Sequence, residues 1–360
     1  MSQRNFNLMQ RAFAEAAHSD WLFTAPNPLV GALALENGHV VGYGHHAQFG
    51  QAHAEEMALL GNPSADELYV SLEPCSSSGA SKKRPACCVD IILKSQVKKV
   101  VVGALDPDAR HAGSGIEKLR AQGIEVTLLE CDEQFTAQNP AFLRHLKRAV
   151  PFTIVKWAAS ADGFIAASSG ESQWISNEKS RAEVHRLRGA SQAIAAGGGT
   201  VAVDDPRLTA RNVEHNILNC KVLIACADKV SSEHKLLADD LQRLWFDTGE
   251  QNHPWATSND VFSVCANQES RVDLSIVWKQ LRETHHLNRV FVEGGARLVN
   301  TLIKEGLVHA IVKYEAPILL GGGLSAIAAD GFESPQQALR LSHELRCDHE
   351  QDLRRAWLVD

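Results

Sequence analysis

One stretch constrains the fold more than any other. It opens at His53-Ala54-Glu55, passes through Glu73-Pro74-Cys75 and closes at Cys87-Cys88. An imidazole and two thiolates are donors that zinc favours, and three protein ligands leave a fourth position for a water whose pKa the metal lowers toward about 7. A Glu two residues past the His suits a group that stays off the metal and carries protons. The local patterns predict how these residues converge. His53 to Leu60 reads as a helix stopped by Gly61-Asn62-Pro63, and Leu68-Tyr69-Val70-Ser71-Leu72 reads as a strand that delivers Glu73-Pro74-Cys75. Cys87 to Leu93 reads as a second helix. His53 and Cys87 then sit at helix starts, where the helix dipole favours a thiolate, and Cys75 sits at a strand end. A structural zinc would want a fourth protein ligand. Cys88 is a candidate, but adjacent residues on a helix point in different directions, which favours the catalytic reading.

A His-x-Glu followed by Pro-Cys resembles the zinc-dependent nucleobase deaminases, whose pattern ends Pro-Cys-x-x-Cys. Here eleven residues separate Cys75 from Cys87. Composition narrows the remaining classes. A chain of 360 residues suggests two domains, and 44% apolar with 22% charged residues is ordinary for a globular protein. The formal net charge of -7 and the lack of a large basic block argue against a nucleic-acid partner, while leaving room for a small basic pocket that holds a phosphorylated metabolite. Met1-Ser2-Gln3-Arg4-Asn5 leads into no signal-peptide core, and no run approaches the roughly 18 apolar residues of a membrane span. The expectation is a cytoplasmic protein with reduced thiols and no membrane partner.

The first half continues the alternation. Residues 4 to 18 have helical spacing, Leu29 to Leu35 and His39 to His46 read as a hairpin turned at Glu36-Asn37-Gly38, and Lys99 to Gly103 reads as a buried strand. Gly115 to Gln122 is an expected helix and Glu125 to Leu129 an expected strand, which together imply a sheet covered by helices on both faces. Asn27 in Pro26-Asn27-Pro28 reads equally as a turn residue or as a hydrogen-bonding group for a base. Ser76 to Arg84 carries Lys82, Lys83 and Arg84, which reads first as a solvated loop and second as a phosphate grip.

A boundary is expected near 147 to 151. Beyond it, Phe152 to Ala158 is a strand, Asn177 caps a helix running to about Arg188, and Ala193 to Ala196 is a strand ending in Gly197-Gly198-Gly199-Thr200. Leu223-Ile224-Ala225 is a strand, and Val290-Phe291-Val292 ends in Glu293-Gly294-Gly295-Ala296 before a helix from Arg297 to Lys304. Both glycine-rich turns could present backbone N–H groups to a phosphate, or could be tight connections. Gly197-x-Gly199-x-x-Ala202 matches a relaxed dinucleotide fingerprint, but no acidic residue follows at the end of a strand roughly twenty residues on. The pattern alone gives an α/β domain able to take a phosphate-bearing cofactor.

Taken in order, these pieces resemble the bifunctional deaminase–reductase family of riboflavin biosynthesis. The resemblance runs through Asn27-Pro28-Leu29-Val30-Gly31, His53-Ala54-Glu55, Ser71-Leu72-Glu73-Pro74-Cys75 and Asp106-Pro107. It continues through Lys156, Ser160-x-Asp162-Gly163, Ser169 to Ile175, Gly199-Thr200-Val201 with Asp204-Asp205-Pro206, Leu208-Thr209-x-Arg211, and Val292-Glu293-Gly294-Gly295. It implies an α/β fold in two domains: residues 1–147 a cytidine-deaminase-like α/β/α zinc deaminase, and residues 151–360 a dihydrofolate-reductase-like NADPH-dependent reductase. It implies one zinc on His53, Cys75 and Cys87 with Glu55 as proton shuttle, and a pyrimidine pocket lined by Asn27, His45, Asp106 and Asp108. In the second half, Lys156, Ser172, Trp174 and Asp204 would face the substrate and the hydride path. Arg188, Leu208 and Arg211 would lie near the ribose phosphate. Thr200, Glu293, Gly294 and Gly295 would contact NADPH or the substrate beside it. The substrate would be a small phosphoribosyl pyrimidine, and a homo-oligomer is left open.

The departures concentrate in one place. The family usually carries Ser-His-x-Gly-Arg/Lys-Thr-Pro-Pro-Cys after the first zinc Cys, whereas this chain has Ser77 for the His, Pro85-Ala86 for Pro-Pro, and three extra residues before Cys87. Asp108 stands where Asn is common, and Ala161 where Leu is usual. Other readings are a diverged paralogue that lost one activity or uses a related phosphoribosyl pyrimidine, a non-catalytic zinc-stabilised binding protein, and a tRNA or cytidine deaminase. Intact Glu55 argues against the binding protein, and the acidic chain with its long second half argues against the last.

Overall fold

The computed structural model describes residues 2–76, 86–109, 111–249, 253–327 and 334–360. The chain divides into two compact units, Met1–Lys147 and Arg148–Asp360. In the first unit the elements run α1 (Gln3–Ala16), α2 (Trp21–Thr24), β1 (Gly31–Glu36), β2 (His39–His45), α3 (Ala54–Leu59), β3 (Glu67–Leu72), α4 (Cys88–Lys94), β4 (Lys99–Ala104), α5 (Ser114–Ala121), β5 (Glu125–Leu128), α6 (Asp132–Gln138) and α7 (Pro140–Leu146). The sheet order is β2-β1-β3-β4-β5, with β1 antiparallel to β2 and β3, and β3, β4 and β5 parallel.

Local chemistry accounts for these elements. Ser2 caps α1 by accepting the Asn5 N–H, and Leu8, Met9, Ala12, Phe13 and Ala16 form its buried stripe. β3 and β4 are almost wholly buried, as expected of parallel strands covered on both sides. The seat of α3 depends on two glycines of β2. A Cβ on Gly42 would come 2.1 Å from the Ala58 carbonyl oxygen, and one on Gly44 would come 2.1 Å from that of Ala54. Backbone therefore rests on backbone at both ends of α3, the short helix that follows His53 and carries Glu55.

The second unit runs β6 (Phe152–Ser160), β7 (Phe164–Ala166), α8 (Glu178–Gly189), β8 (Ala193–Gly197), α9 (Gly198–Asp204), β9 (Cys220–Ile224), β10 (Gln242–Asp247), β11 (Asp260–Val264), α10 (Leu274–Glu283), β12 (Arg289–Val292), α11 (Ala296–Lys304), β13 (Ala310–Ala316), β14 (Leu324–Ser325), β15 (Leu341–His349) and β16 (Asp352–Val359). Nine strands form one sheet in the order β11-β10-β9-β8-β12-β6-β13-β16-β15. It is parallel from β11 to β13 and closes with the antiparallel β16 and β15. Asn177 caps α8 by accepting the Ser180 N–H, as its sequence predicts. β8 and β12 are neighbours, so the two glycine-rich turns that follow them lie side by side. Among the described residues no helix is long and apolar enough to cross a membrane.

The glycine contacts make a direct prediction. Gly44→Ala should destabilise the first unit by about 1–3 kcal/mol, the usual cost of forcing extra volume into a packed contact. Gly61→Ala serves as the control for backbone strain alone, since a Cβ there meets nothing within 4 Å although its φ is +76. Chemical denaturation of the two variants against wild type makes the measurement, and equal effects would remove the packing explanation.

Candidate active sites

The first site gathers at the end of β3 and the starts of α3 and α4. Glu73, immediately after β3, is only 5% exposed. Its carboxylate accepts the N–H groups of Gly113 at 2.8 Å, Gly115 at 2.7 Å, and Asp106 and Ile116 each at 3.3 Å. A buried carboxylate is tolerated there because it fills the N-terminus of α5 with charge-assisted hydrogen bonds. Gly115 is needed for the approach, since a Cβ would lie 2.1 Å from the Pro74 carbonyl oxygen. The turn carrying Cys75 is thus fixed from both sides.

Around that turn the structure brings His53, Cys75 and Cys88 together, with one donor atom of each within 4.8 Å of the others. His53 Nδ1 lies 3.2 Å from Cys88 Sγ and 3.7 Å from Cys75 Sγ. A tetrahedral zinc with one nitrogen and one sulfur ligand spaces those atoms about 3.6 Å apart. The donor set and its spacing fit the metal. Glu55 sits in the first turn of α3, is 3% exposed, and is not among the clustered donors.

Cys87, expected as the third zinc ligand, lies outside that trio. Cys87 is the N-cap of α4, and its thiol turns back to the Asp90 N–H while the Asp90 carboxylate accepts the Cys87 N–H at 3.4 Å. Burial, first of all, pushes that thiol up. The helix begins one residue later than the sequence predicts, so the first helical residue, Cys88, supplies the thiol that meets His53. The backbone N–H of Cys88 also points to Cys75 Sγ at 3.3 Å.

His45, expected in the pyrimidine pocket, and its neighbour His46 have different partners. His45 Nδ1 pairs with Glu15 Oε1 at 2.8 Å and joins no contact with the cysteine cluster. Its neighbour His46 is 2% exposed and packs edge-on against His53, with ring centroids 5.2 Å apart. His46 Nδ1 is 2.9 Å from the Ala52 carbonyl and Nε2 is 3.2 Å from Asn27 Nδ2. Donation from Nδ1 to Ala52 leaves Nε2 to accept from the Asn27 amide. Asn27 is therefore joined to the His53–Cys75–Cys88 cluster through one imidazole. Asp106 and Asp108 sit in the loop after β4, where Asp106 Oδ1 accepts the Asp108 N–H at 2.9 Å. Burial pushes the Asp106 carboxyl up. Residues 77–84 of the Ser76–Arg84 stretch, expected first as a solvated loop and second as a phosphate grip, lie outside the described residues.

The second site is assembled on β6, α8, α9 and the end of β12. Arg188 donates to Glu293 through two nitrogens, Nε to Oε1 at 2.6 Å and a terminal nitrogen to Oε2 at 2.5 Å, and its other terminal nitrogen reaches the Thr209 carbonyl at 3.1 Å. Burial alone would raise the Glu293 carboxyl, but the charge and hydrogen bonds of Arg188, with help from Lys156, hold it at about 2. Burial pulls the half-buried Lys156 ammonium down, against the attraction of Glu293. Its Nζ stands 5.9 Å from the centre of the Tyr314 ring. Arg211 donates its backbone N–H to His185 Nδ1 at 3.2 Å, and His185 is pulled down to about 4 by burial and then by Arg188 and Arg211.

The two glycine turns meet here as well. Thr200 Oγ1 accepts the Gly295 N–H at 2.9 Å, joining the start of α9 to the start of α11. A Cβ on Gly199 would meet nothing within 4 Å, so its backbone faces open space that a phosphate-bearing group could fill. The first turns of both helices and the nearby arginines suit a nucleotide phosphate. Gly294 instead packs on Leu298, whose Cδ2 would lie 2.9 Å from an added Cβ. Asp204 ends α9, with its carboxyl raised by burial. Ser172 is half-buried in the segment before α8, and Trp174 is 71% exposed there with the Arg181 guanidinium 4.6 Å above its ring. Leu208 is 1% exposed and its side chain belongs to the core with Ile194 and Val201, so a ligand there would meet its backbone.

Comparison with known proteins decides the family. Residues 2–104 match the cytidine and deoxycytidylate deaminase zinc-binding region, and residues 151–354 match the RibD C-terminal domain. The riboflavin biosynthesis protein RibD of Aquifex aeolicus is 35% identical over 322 residues, covering 89% of this chain and 88% of that protein. This chain belongs to the RibD family. The Escherichia coli RibD is 32% identical over 83% of this chain and 84% of its own length. The Acinetobacter baumannii RibD structure superposes with a TM-score of 0.75 at 29% identity, covering 99% of each chain. A Thermotoga maritima structure described as a diaminohydroxyphosphoribosylaminopyrimidine deaminase/5-amino-6-(5-phosphoribosylamino)uracil reductase gives 0.72 at 25% identity, again over 99% of each. RibD proteins are bifunctional enzymes of riboflavin biosynthesis, with a zinc-binding deaminase domain before a reductase domain, and this chain is one of them.

Two measurements follow. Cys88→Ser should abolish stoichiometric zinc in the purified protein, whereas Cys87→Ser should retain it, because serine is itself a favoured N-cap. Zinc content by elemental analysis reads both. In the second unit, Arg188→Ala should destabilise by about 3–5 kcal/mol by stranding a buried carboxylate. Because Glu293 has a folded pKa below its ordinary value, its contribution is present above about pH 4.5 and is lost as pH falls toward about 2. Acid unfolding of Glu293→Gln should be correspondingly flatter in that window.

Proposed function

We propose that the first unit deaminates 2,5-diamino-6-(5-phosphoribosylamino)pyrimidin-4-one and that the second reduces the ribosyl group of the product to ribityl. The observation that carries the first half is the His53–Cys75–Cys88 cluster, with Glu55 buried on the same short helix as His53. Zinc held by these three residues would supply the Lewis acid that makes water nucleophilic near neutral pH. Glu55 takes a proton from the attacking water and delivers it to the amino group, which leaves as ammonia. Asn27, oriented by His46, holds the pyrimidine edge, and Asp106 and Asp108 line the same pocket.

In the second unit, bound NADPH would supply the hydride. Thr200, Gly294 and Gly295 hold its phosphate-bearing portion, and Trp174 and Glu293 border it. The ring-opened ribosylamino group accepts the hydride at its first carbon and takes up one proton. Lys156, whose ammonium is weakened by burial, is suited to give that proton. Ser172 and Asp204 border the substrate, and Arg188, Leu208 and Arg211 lie toward its ribose phosphate.

The test pairs two assays on one protein. Glu55→Gln should lower ammonia release by about 10²–10⁴-fold, the usual worth of a general acid–base group, and leave NADPH oxidation by the deaminated substrate unchanged. Loss of both activities in a folded variant would overturn the independent sites. Absence of one activity in the wild-type protein would show a diverged relative instead.

A further inference from the structure

We propose that Glu15, His18 and His45 form a second transition-metal site in the first unit, separate from the His53–Cys75–Cys88 cluster. Glu15 lies in the last turn of α1, His18 just past the end of that helix, and His45 at the end of β2. The carboxylate reaches one imidazole with each oxygen: Oε1 lies 2.8 Å from His45 Nδ1 and Oε2 3.3 Å from His18 Nδ1. The two rings stand 5.8 Å apart, tilted by 49°. Donors on a tetrahedral zinc with nitrogen and oxygen ligands are separated by about 3.3 Å. The cluster therefore needs only small adjustments to close on an ion.

Burial and charge favour an ion here over a simple hydrogen-bonded trio. The Glu15 side chain is only 13% exposed and that of His18 is 66% exposed, so the carboxylate is shielded while the site keeps an entry path. Among the described residues no lysine or arginine forms an ion pair with Glu15. Arg11, one turn earlier on α1, donates to the Tyr43 hydroxyl at 2.6 Å. The cluster of Glu183, Cys347 and His349 provides the contrast. There the carboxylate already accepts the Tyr314 hydroxyl at 2.8 Å and has Arg354 Nε at 3.6 Å, so a cation would enter against a buried guanidinium.

Two imidazoles and a carboxylate without a thiolate suit zinc, cobalt(II), nickel(II) or copper(II), with solvent completing the coordination. An ion held there would join the end of α1 to the end of β2, one residue from His46. Binding only to the folded state, it would raise the thermal stability of the protein.

The probe is zinc or cobalt(II) added to untagged, full-length protein. Wild type should take up two equivalents by equilibrium dialysis, the second more weakly. Cobalt in the second site should lack the thiolate-to-metal charge-transfer band that the first site gives. Glu15→Gln combined with His18→Ala should lose the second equivalent and the zinc-dependent rise in melting temperature, while keeping the first equivalent and ammonia release. Uptake of one equivalent by wild type would overturn the proposal. So would a second equivalent that survives in the double variant, or a second cobalt with thiolate character. The assignment does not depend on removing the cysteine site, so a cysteine variant that fails to fold leaves the test intact.

Discussion

The buried carboxylate of Glu73 is the interaction on which the first unit depends. It gathers four backbone N–H groups from the loop after β4 and the start of α5, and so pins the turn that follows β3. An anion at that depth is tolerable only while those donors are in place. Cys75 is two residues away, and its thiol in turn accepts the N–H of Cys88. A chain of polar contacts therefore runs from one helix start to another through a strand end, with Cys75 at its centre.

The second unit places its chemistry by a different rule. Its glycine-rich turns stand at the ends of adjacent parallel strands, β8 and β12, the place where open α/β sheets commonly hold ligands. The Arg188–Glu293 pair lies beside them and fixes the local charge. Together, Arg188 and Lys156 keep Glu293 ionised, while the buried Lys156 loses affinity for its proton. Both units thus use buried charge, the first for helix termini and the second for side-chain cations.

Much of this was legible in the residues. The β3 and β12 runs are short and apolar, Asn177 is a strong cap, and the glycine turns mark strand ends, so element types and order could be read directly. The differences between reading and structure are one residue wide. Period and composition give an element's existence more firmly than its phase. Adjacent residues at a helix start point about 100° apart, so in the structure the Cys88 thiol meets His53 while the Cys87 thiol turns to the cap. At the end of β2, neighbouring side chains point to opposite faces, so His45 meets Glu15 while His46 packs against His53. Trp174 offered no signal for its exposure, since an aromatic in a loop reads alike whether it faces a ligand or solvent. The last hairpin was unreadable for another reason: β15, Leu-Ser-His-Glu-Leu-Arg-Cys-Asp-His, has no buried residue and takes its form from pairing with β16.

The glycine seat of α3 has a mechanical consequence. Side-chain contacts can rearrange among rotamers, so a helix mounted on them drifts when neighbouring packing changes. Helix α3 is mounted instead by its own carbonyls against the bare backbone of β2 at Gly42 and Gly44. That contact behaves as a hard stop. A side chain at either glycine would push the whole of α3, and with it the His53 imidazole, away from the sheet.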